Sequence, residues 1–170
     1  MAQYRKPLLL AWIICLASIP FLSYFGRPLQ LYVSSIFSSL QLTVLLSCFS
    51  AALFIFALKQ STNGYSKSTL LEILILIVLF LIINFFLLPV ERIHICLFGT
   101  FGFLSHKLFG TKVALCLLFA ISGLDELIQH YLPDRVGDWR DVLTNVSSSL
   151  LGLLLSFILA RNSDTSSNNQ

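Results

Sequence analysis

The chain has 170 residues, of which 56% are apolar and only 11% are charged, and its mean hydropathy is +0.85. This composition gives far more apolar surface than one water-soluble domain of this length can bury, which excludes a soluble domain and indicates a membrane protein. The formal net charge of +3 is spread along the chain, and the absence of a concentrated basic patch excludes nucleic acid as a partner.

Long apolar runs predict membrane-spanning α-helices. The run from Leu70 to Leu88 contains only two polar residues, Glu72 and Asn84. At 1.5 Å per residue it is about as long as the ~30 Å hydrocarbon core of a bilayer is thick. Lipid offers no hydrogen bonds to the backbone, and the period-2 alternation of a membrane barrel is missing. We therefore predict an all-α, polytopic helical bundle.

Six candidate spans follow in chain order, at residues 8–25, 36–58, 70–88, 92–108, 112–131 and 140–160. The first resembles a signal peptide, but aromatic residues stand where cleavage needs small ones, so we expect a retained anchor. The second starts anywhere from residue 29 to residue 40, because "LQLYVSSIFSSL" is apolar yet rich in serine; this stretch alternatively forms a helix in the membrane interface. The fourth is short, and its Gly99 and Gly102 permit close helix contact.

These spans amount to five or six crossings in one transmembrane domain, residues 1–160. Residues 161–170, "RNSDTSSNNQ", are predicted to be a polar, disordered tail. With the N-terminus inside, seven basic residues fall on one side and four on the other, so the positive-inside rule places both termini in the cytoplasm. The inner set is Arg5, Lys6, Lys59, Lys67, Lys107, Lys112 and Arg161, and the outer set is Arg27, Arg92, Arg135 and Arg140.

Polar residues gather where the last three spans reach the outer face. Five of the eight carboxylates lie between residues 125 and 145. Spacings of three, four and seven residues put the members of each group on one face of their helix. Because ionisable groups are costly in hydrocarbon, such a cluster predicts a functional site. The candidate catalytic residues are Glu91, His94 and Glu126, and the remaining cluster consists of Gln129, Arg135, Asp138, Asp141 and Asn145.

Several of these residues also have a purely structural interpretation. Asp138 suits the N-cap of the last helix. Arg135 either bridges neighbouring carboxylates or binds an external anion such as a phosphate. Asn145 either joins the site or only hydrogen-bonds to a neighbouring helix. His94 and Glu126 are hardest to explain structurally, since they lie near the apolar layer on separate helices.

The order of these motifs resembles the VanZ-like family of small bacterial membrane proteins. "ERIHICLFGTFG" supplies an acid-x-x-His segment, and "DELIQHYLPDRVGDWRDVLTNVSSSLLG" supplies Glu-x-x-Gln, Pro-x-Arg and Asp-x-x-x-Asn; the match covers about residues 89–155. Leu97 and Phe98 depart from the family, whose members often have a polar residue and Tyr there. The family pattern falls on Glu91, His94, Glu126, Gln129, Pro133, Arg135, Asp141, Asn145 and Gly152.

The resemblance implies a multi-pass protein of the bacterial cytoplasmic (inner) membrane that acts in the cell envelope. The family takes its name from a member linked to low-level resistance to teicoplanin, a glycopeptide antibiotic. Expected partners are membrane lipids and other membrane protein subunits. The sequence lacks a Gly-rich phosphate loop, a G-x-S-x-G elbow and an H-E-x-x-H zinc motif, so no cofactor is predicted.

Three hypotheses for the site remain open. The first is a metal or proton-handling centre at Glu91, His94, Glu126 and His130, although one Glu-x-x-His motif is too few for a dimetal bundle, and no metal is predicted. The second is a hydrolase or transferase acting on a lipid-linked envelope substrate, with His94 or Glu126 as general base and Arg135 holding a phosphate. The third is a non-catalytic accessory or assembly subunit of a larger membrane complex, in which the cluster fixes helix geometry.

Overall fold

The described residues form a bundle of five α-helices. The structure, a computed structural model, describes residues 2–59, 65–89, 91–133 and 138–167, with side chains described from residue 5 to residue 163 of these ranges. All five helices are long and apolar enough to cross a membrane, and the described ranges contain no strand. The all-α prediction is confirmed. The helices are α1 (Ala2–Ile36), α2 (Ser39–Lys59), α3 (Lys67–Phe86), α4 (Arg92–His130) and α5 (Trp139–Ser167).

Helix α4 reverses direction at Gly110. This residue has φ 77° and ψ 175°, a backbone conformation open to glycine and strained for other residues. In a straight helix His94 and Asp125 would lie about 46 Å apart, yet both hydrogen-bond to the side chain of Asn145. The chain therefore folds back on itself. Its two arms, residues 92–109 (α4a) and 111–130 (α4b), correspond to the predicted fourth and fifth spans.

Helices α4a and α5 pack with their backbones in contact. A Cβ atom at Gly102 would lie 2.0 Å from the carbonyl oxygen of Ser149, and one at Gly152 would lie 1.9 Å from the carbonyl oxygen of Gly99. Only glycine fits at Gly102 and Gly152. The predicted close contact through the glycines of span four is thus confirmed, with α5 as the partner.

Helix α1 packs into the bundle and is longer than predicted. The indole of Trp12 donates a hydrogen bond to Ser105 Oγ at 2.8 Å, and Ile19 is buried against Phe98 and Phe101. The helix continues to Ile36, so residues 29–36 belong to α1, and α2 starts at Ser39, three residues after the predicted start. Proline residues inside α1 do not end it, because a break in lipid would expose backbone amides that nothing else can satisfy.

Helix α5 also exceeds its predicted length. The sequence predicts a span ending at residue 160 and a disordered tail from 161, whereas α5 runs to Ser167. Contacts with α3 explain the difference: Arg161 pairs with Glu72 at 2.5 Å, and Thr69 Oγ1 donates to Asn162 Oδ1 at 3.1 Å. Residues 168–170 lie outside the described ranges.

The bundle has a basic end and an acidic end. The contacts Trp12–Ser105, His106–Ser156 and Thr69–Asn162 place the start of α1, the start of α3 and the end of α5 together. This basic end carries the seven basic residues predicted for one membrane side. The acidic end, opposite, carries those residues of the predicted polar cluster that the structure describes. The start of α1 and the end of α5 share an end, as predicted. That the basic end faces the cytoplasm stays a prediction.

Candidate functional site

A chain of hydrogen bonds at the acidic end joins three helices through Asn145. His94 Nδ1 lies 2.6 Å from Asn145 Oδ1, and Asn145 Nδ2 donates to Asp125 Oδ2 at 2.7 Å. Asn145 is completely buried on α5, between His94 on α4a and Asp125 on α4b. The side chains of His94, Asn145 and Asp125 therefore lie together at this end of the bundle, with Asn145 in the middle.

With Asp125 ionised, the hydrogen bonds through Asn145 select one tautomer of His94. An ionised carboxylate only accepts hydrogen bonds, so the amide nitrogen of Asn145 must face Asp125 and its oxygen must face His94. The imidazole then donates through Nδ1. In the neutral ring this leaves Nε2 unprotonated and able to accept a proton, as a general base must.

Asp125 accepts hydrogen bonds from three helices. Besides Asn145, Gln129 Nε2 donates to it at 3.2 Å from one turn along α4b, and the hydroxyl of Ser23 on α1 donates to its other oxygen. Asp125, Gln129 and Ser23 are each only 3% exposed. Sequence reasoning placed Asp125 at this rim but left it out of the site. Its i,i+4 spacing to Gln129 is the signal that could have found it.

Glu126 points toward the start of α5. Its Oε1 accepts a hydrogen bond from the backbone amide of Asp138, while its Oε2 is buried and has no hydrogen-bond partner among the described residues. Asp138 Oδ1 in turn accepts from the backbone amide of Arg140 at 3.0 Å, which confirms the predicted N-cap. Asp125, rather than Glu126, is thus the carboxylate connected to His94.

Glu91 forms an ion pair at the edge of the site. Its carboxylate lies 2.9 Å from the guanidinium of Arg140 and accepts from the backbone amide of Leu88 at 2.8 Å. Arg140 also donates to the carbonyl of Phe86 at 3.1 Å. Sequence reasoning assigned carboxylate pairing to Arg135, which lies outside the described residues. The sequence predicts for Arg140 only a place among the basic residues that orient the protein.

Asp141 and Phe98 complete the surroundings of His94. Asp141 is half-buried and lies within electrostatic range of the imidazole. Phe98 is 1% exposed, and its ring lies parallel to the imidazole at 6.0 Å between centroids. His94 therefore packs on a buried aromatic ring, with no hydroxyl on it to relay a proton. His130 is exposed and contacts the ring of Tyr131.

Arg92 is a buried guanidinium that the predicted site does not include. It is 8% exposed, donates to the carbonyl of Asn84 at 2.9 Å, and lies 3.3 Å from Thr43 Oγ1. Its Nε has no hydrogen-bond partner in the described part of the chain. These contacts join α4a to α2 and α3. In the sequence, Arg92 lies between two predicted site residues, Glu91 and His94, and this position is the signal that could have pointed to it.

The described side chains give no support to a metal centre. Across these ranges, no three His, Cys, Asp or Glu side chains are placed to share a metal ion. Four of the acids bond elsewhere: to backbone amides, to Arg140, or to the neutral side chains around Asp125. They are Glu91, Asp125, Glu126 and Asp138. Glu91 and His94 point to different partners, so the geometry of a carboxylate-bridged dimetal site is not formed by these two residues.

A family model described as VanZ/LLP1 matches residues 9–160. The chain belongs to the VanZ/LLP1 family. The match is wider than the resemblance over residues 89–155, so the VanZ region includes α1, α2 and α3. A search of curated proteins and a search of solved structures gave no significant match.

Six of the nine residues that the VanZ-like resemblance singles out fall into three groups in this structure. His94, Gln129 and Asn145 belong to the buried network around Asp125. Glu91 and Glu126 bond to residues at the start of α5. Gly152 has a different role, since it allows the backbone contact between α4a and α5. These six residues therefore include both polar groups and a glycine of the close helix contact.

Proposed function

We propose that this VanZ-like protein acts in the bacterial cell envelope, from the cytoplasmic membrane, on a lipid-linked substrate at the acidic end of the bundle. His94 is the general base: its Nε2 takes a proton from the hydroxyl or water that attacks the substrate. The observation that supports this role is the His94–Asn145–Asp125 chain, because it holds the imidazole in the tautomer that a base requires.

Other residues have supporting roles in this proposal. Glu126 Oε2, buried without a partner among the described residues, is available to bind the substrate or to carry a proton. Asp141 stabilises the imidazolium that forms when His94 takes up a proton, since the two groups interact electrostatically. Arg135 holds a phosphate of the substrate, as its planar guanidinium suits such a group.

The family's link to teicoplanin supplies a cellular test. Cells of a teicoplanin-sensitive bacterium that express the wild-type chain should tolerate more teicoplanin than cells with an empty vector. His94→Gln should return the minimum inhibitory concentration to the empty-vector level, because general-base catalysis contributes about 10²–10⁴ in rate. The Gln amide can still donate to Asn145 Oδ1, so the variant should retain its fold.

His130→Gln is the matched control, because His130 is exposed and lies outside the network. It should behave as the wild type when immunoblots show equal amounts of each protein in the membrane. Wild-type tolerance in His94→Gln would contradict the role of His94 as a base. Unchanged sensitivity in cells with the wild-type chain would contradict the envelope function.

A second function is favoured by the same network: an accessory subunit whose polar cluster only fixes helix geometry. The side chains of Ser23, His94, Asp125 and Asn145 connect α1, α4a, α4b and α5. In this case His94→Gln keeps full tolerance, while Asn145→Ala, which removes both bonds of the central amide, lowers the amount of folded protein and its recovery with partner subunits.

A further inference from the structure

Two cavities have Phe103 in their walls: one lies at the basic end, and the other extends from there along α4a as far as Ile95. The first has a volume of about 310 Å³ and lies between α4a and α5. Its polar lining comes from His106, Lys107, Ser156 and Ser163. None of these residues belongs to the network around Asp125. We call it the polar cavity.

The second cavity is apolar and has a volume of about 280 Å³. Its wall includes Ala11 from α1, Phe54 from α2, Leu76 from α3 and Leu155 from α5, together with Phe103. An apolar cavity of about 150 Å³ already stays free of water and takes up benzene. The larger apolar cavity is therefore suited to a hydrocarbon chain. Ala11 is exposed, so the cavity reaches the outer surface of the bundle, where lipid chains lie.

The polar cavity offers hydrogen-bond donors and positive charge. His106 Nδ1 and Ser156 Oγ are 2.8 Å apart, and Ser156 is 4% exposed. The ammonium group of Lys107 lies 5.4 Å from the centroid of Phe103, beside the wall that both cavities share. A basic end, with Lys112 and Arg161 in addition, attracts anionic groups.

We propose that an anionic phospholipid binds here, with its phosphate in the polar cavity and one acyl chain in the apolar cavity. Lys107 and Ser156 bind the phosphate oxygens, and the chain passes Phe103 to reach the wall formed by Leu76 and Leu155. The bilayer supplies both parts of this ligand in one molecule. The polar cavity lies at the opposite end from His94, and neither cavity is lined by a residue of the network around Asp125, so the inference does not depend on the proposed function.

Native mass spectrometry of the full chain in detergent micelles tests this proposal. The probes are dioleoyl phosphatidylglycerol, dioleoylglycerol, which lacks the phosphate, and glycerol 3-phosphate, which lacks the chains. We expect the wild type to retain phosphatidylglycerol and to bind each of the other two at least about tenfold more weakly, since each has lost one half of the interaction.

Lys107→Gln removes the charge from the polar cavity, and Lys107 is exposed, so packing should not suffer. We expect about tenfold weaker binding of phosphatidylglycerol, the effect of one charge-assisted hydrogen bond. Lys112→Gln is the matched control, because it removes an equal charge at the same end but lines neither cavity. It should bind as the wild type.

Ala11→Phe tests the apolar cavity, because its ring would fill space that the chain needs. We expect at least about fivefold weaker binding of phosphatidylglycerol. Ala52→Phe is the control, because Ala52 is an exposed position on α2 outside the cavity.

Equal retention of dioleoylglycerol and phosphatidylglycerol would overturn the phosphate site. If the protein bound glycerol 3-phosphate tightly but did not retain phosphatidylglycerol, the ligand would be a soluble phosphate, and the lipid proposal would be overturned. If Lys107→Gln and Lys112→Gln weakened phosphatidylglycerol binding equally, the lipid would respond only to the total charge of the basic end, which would overturn the proposed phosphate site.

Discussion

Asp125 shows how the surroundings of a single residue decide its part in the site. Asp125 and Glu126 are neighbours, but successive residues point about 100° apart around a helix. Asp125 meets donors from three helices, whereas Glu126 reaches the first amides of α5. Spacing alone predicts that both lie at the rim. Which of the two carboxylates faces His94 depends on how α4b is rotated about its axis when it packs against α1 and α5. The sequence alone does not predict that rotation.

Replacing Asp125 with Asn should destabilise the protein. The new side chain has only one oxygen, so at least one of the three buried donors loses its acceptor, at a cost of about 1–3 kcal/mol. For a chain of this size this corresponds to a fall in Tm of roughly 2–12 °C. Thermal unfolding in detergent, followed by circular dichroism, measures it.

Asp138→Asn is the control for this change, because it is the same substitution at an exposed position. Asn caps a helix about as well as Asp, so its Tm should stay close to that of the wild type. Equal shifts in Asp125→Asn and Asp138→Asn would show that the three donors around Asp125 contribute no special stability.

At the scale of the helices, the sequence predicts that α4a has a close helix neighbour, but it does not predict that this neighbour is α5. Gly99 and Gly102 indicate a close helix neighbour, since glycine allows two backbones to approach. Their partner on α5, Gly152 with Ser149, lies about fifty residues away in the chain. The ends of α1 and α5 were also mispredicted, because contacts such as Arg161–Glu72 extend a helix beyond its apolar run.

Gly152→Ala should separate α4a from α5. Its Cβ would lie 1.9 Å from the carbonyl oxygen of Gly99, and overpacking of this kind typically costs about 1–3 kcal/mol. We expect a lower Tm and weaker tolerance of detergent. Gly123→Ala, on α4b, is the matched control, because nothing lies within 4 Å of its added methyl group.

Alanine is favoured over glycine within a helix by about 1 kcal/mol, so Gly123→Ala should leave Tm unchanged or raise it. The contact between α4a and α5 would prove unimportant for stability if Gly152→Ala unfolded at the same temperature as Gly123→Ala. The two variants thus separate a loss of helix packing from the general effect of replacing glycine in an apolar helix.

At the scale of the whole molecule, the reversal at Gly110 gives six long apolar helical arms from the five described helices. The apolar segments, and the shared end for the start of α1 and the end of α5, could be predicted, because hydropathy and the count of basic residues need only the order of the spans. The sequence does not predict that the fourth and fifth spans form one helix folded at Gly110. An 18-residue arm has the same hydropathy whether a loop or a single glycine follows it.

Cysteine labelling in intact cells tests this topology. In a background with the four native cysteines replaced by serine or alanine, Trp139→Cys at the acidic end should react with a membrane-impermeant maleimide from outside. Lys112→Cys at the basic end should react only after permeabilisation, because the charge count places that end inside. Labelling of both positions from one side would contradict the fold-back at Gly110, and the reverse pattern would contradict the predicted orientation.

The position of Gly110 has a consequence for the length of the chain around it. His94 and Asp125 lie almost equally far from this glycine along their two arms, so the imidazole and the carboxylate reach the same depth in the membrane, on either side of Asn145. One residue inserted between Gly110 and Asp125 would turn the carboxylate by about 100° and shift it by about 1.5 Å along the axis. The number of residues on each side of Gly110 is therefore constrained as tightly as the identities of His94 and Asp125.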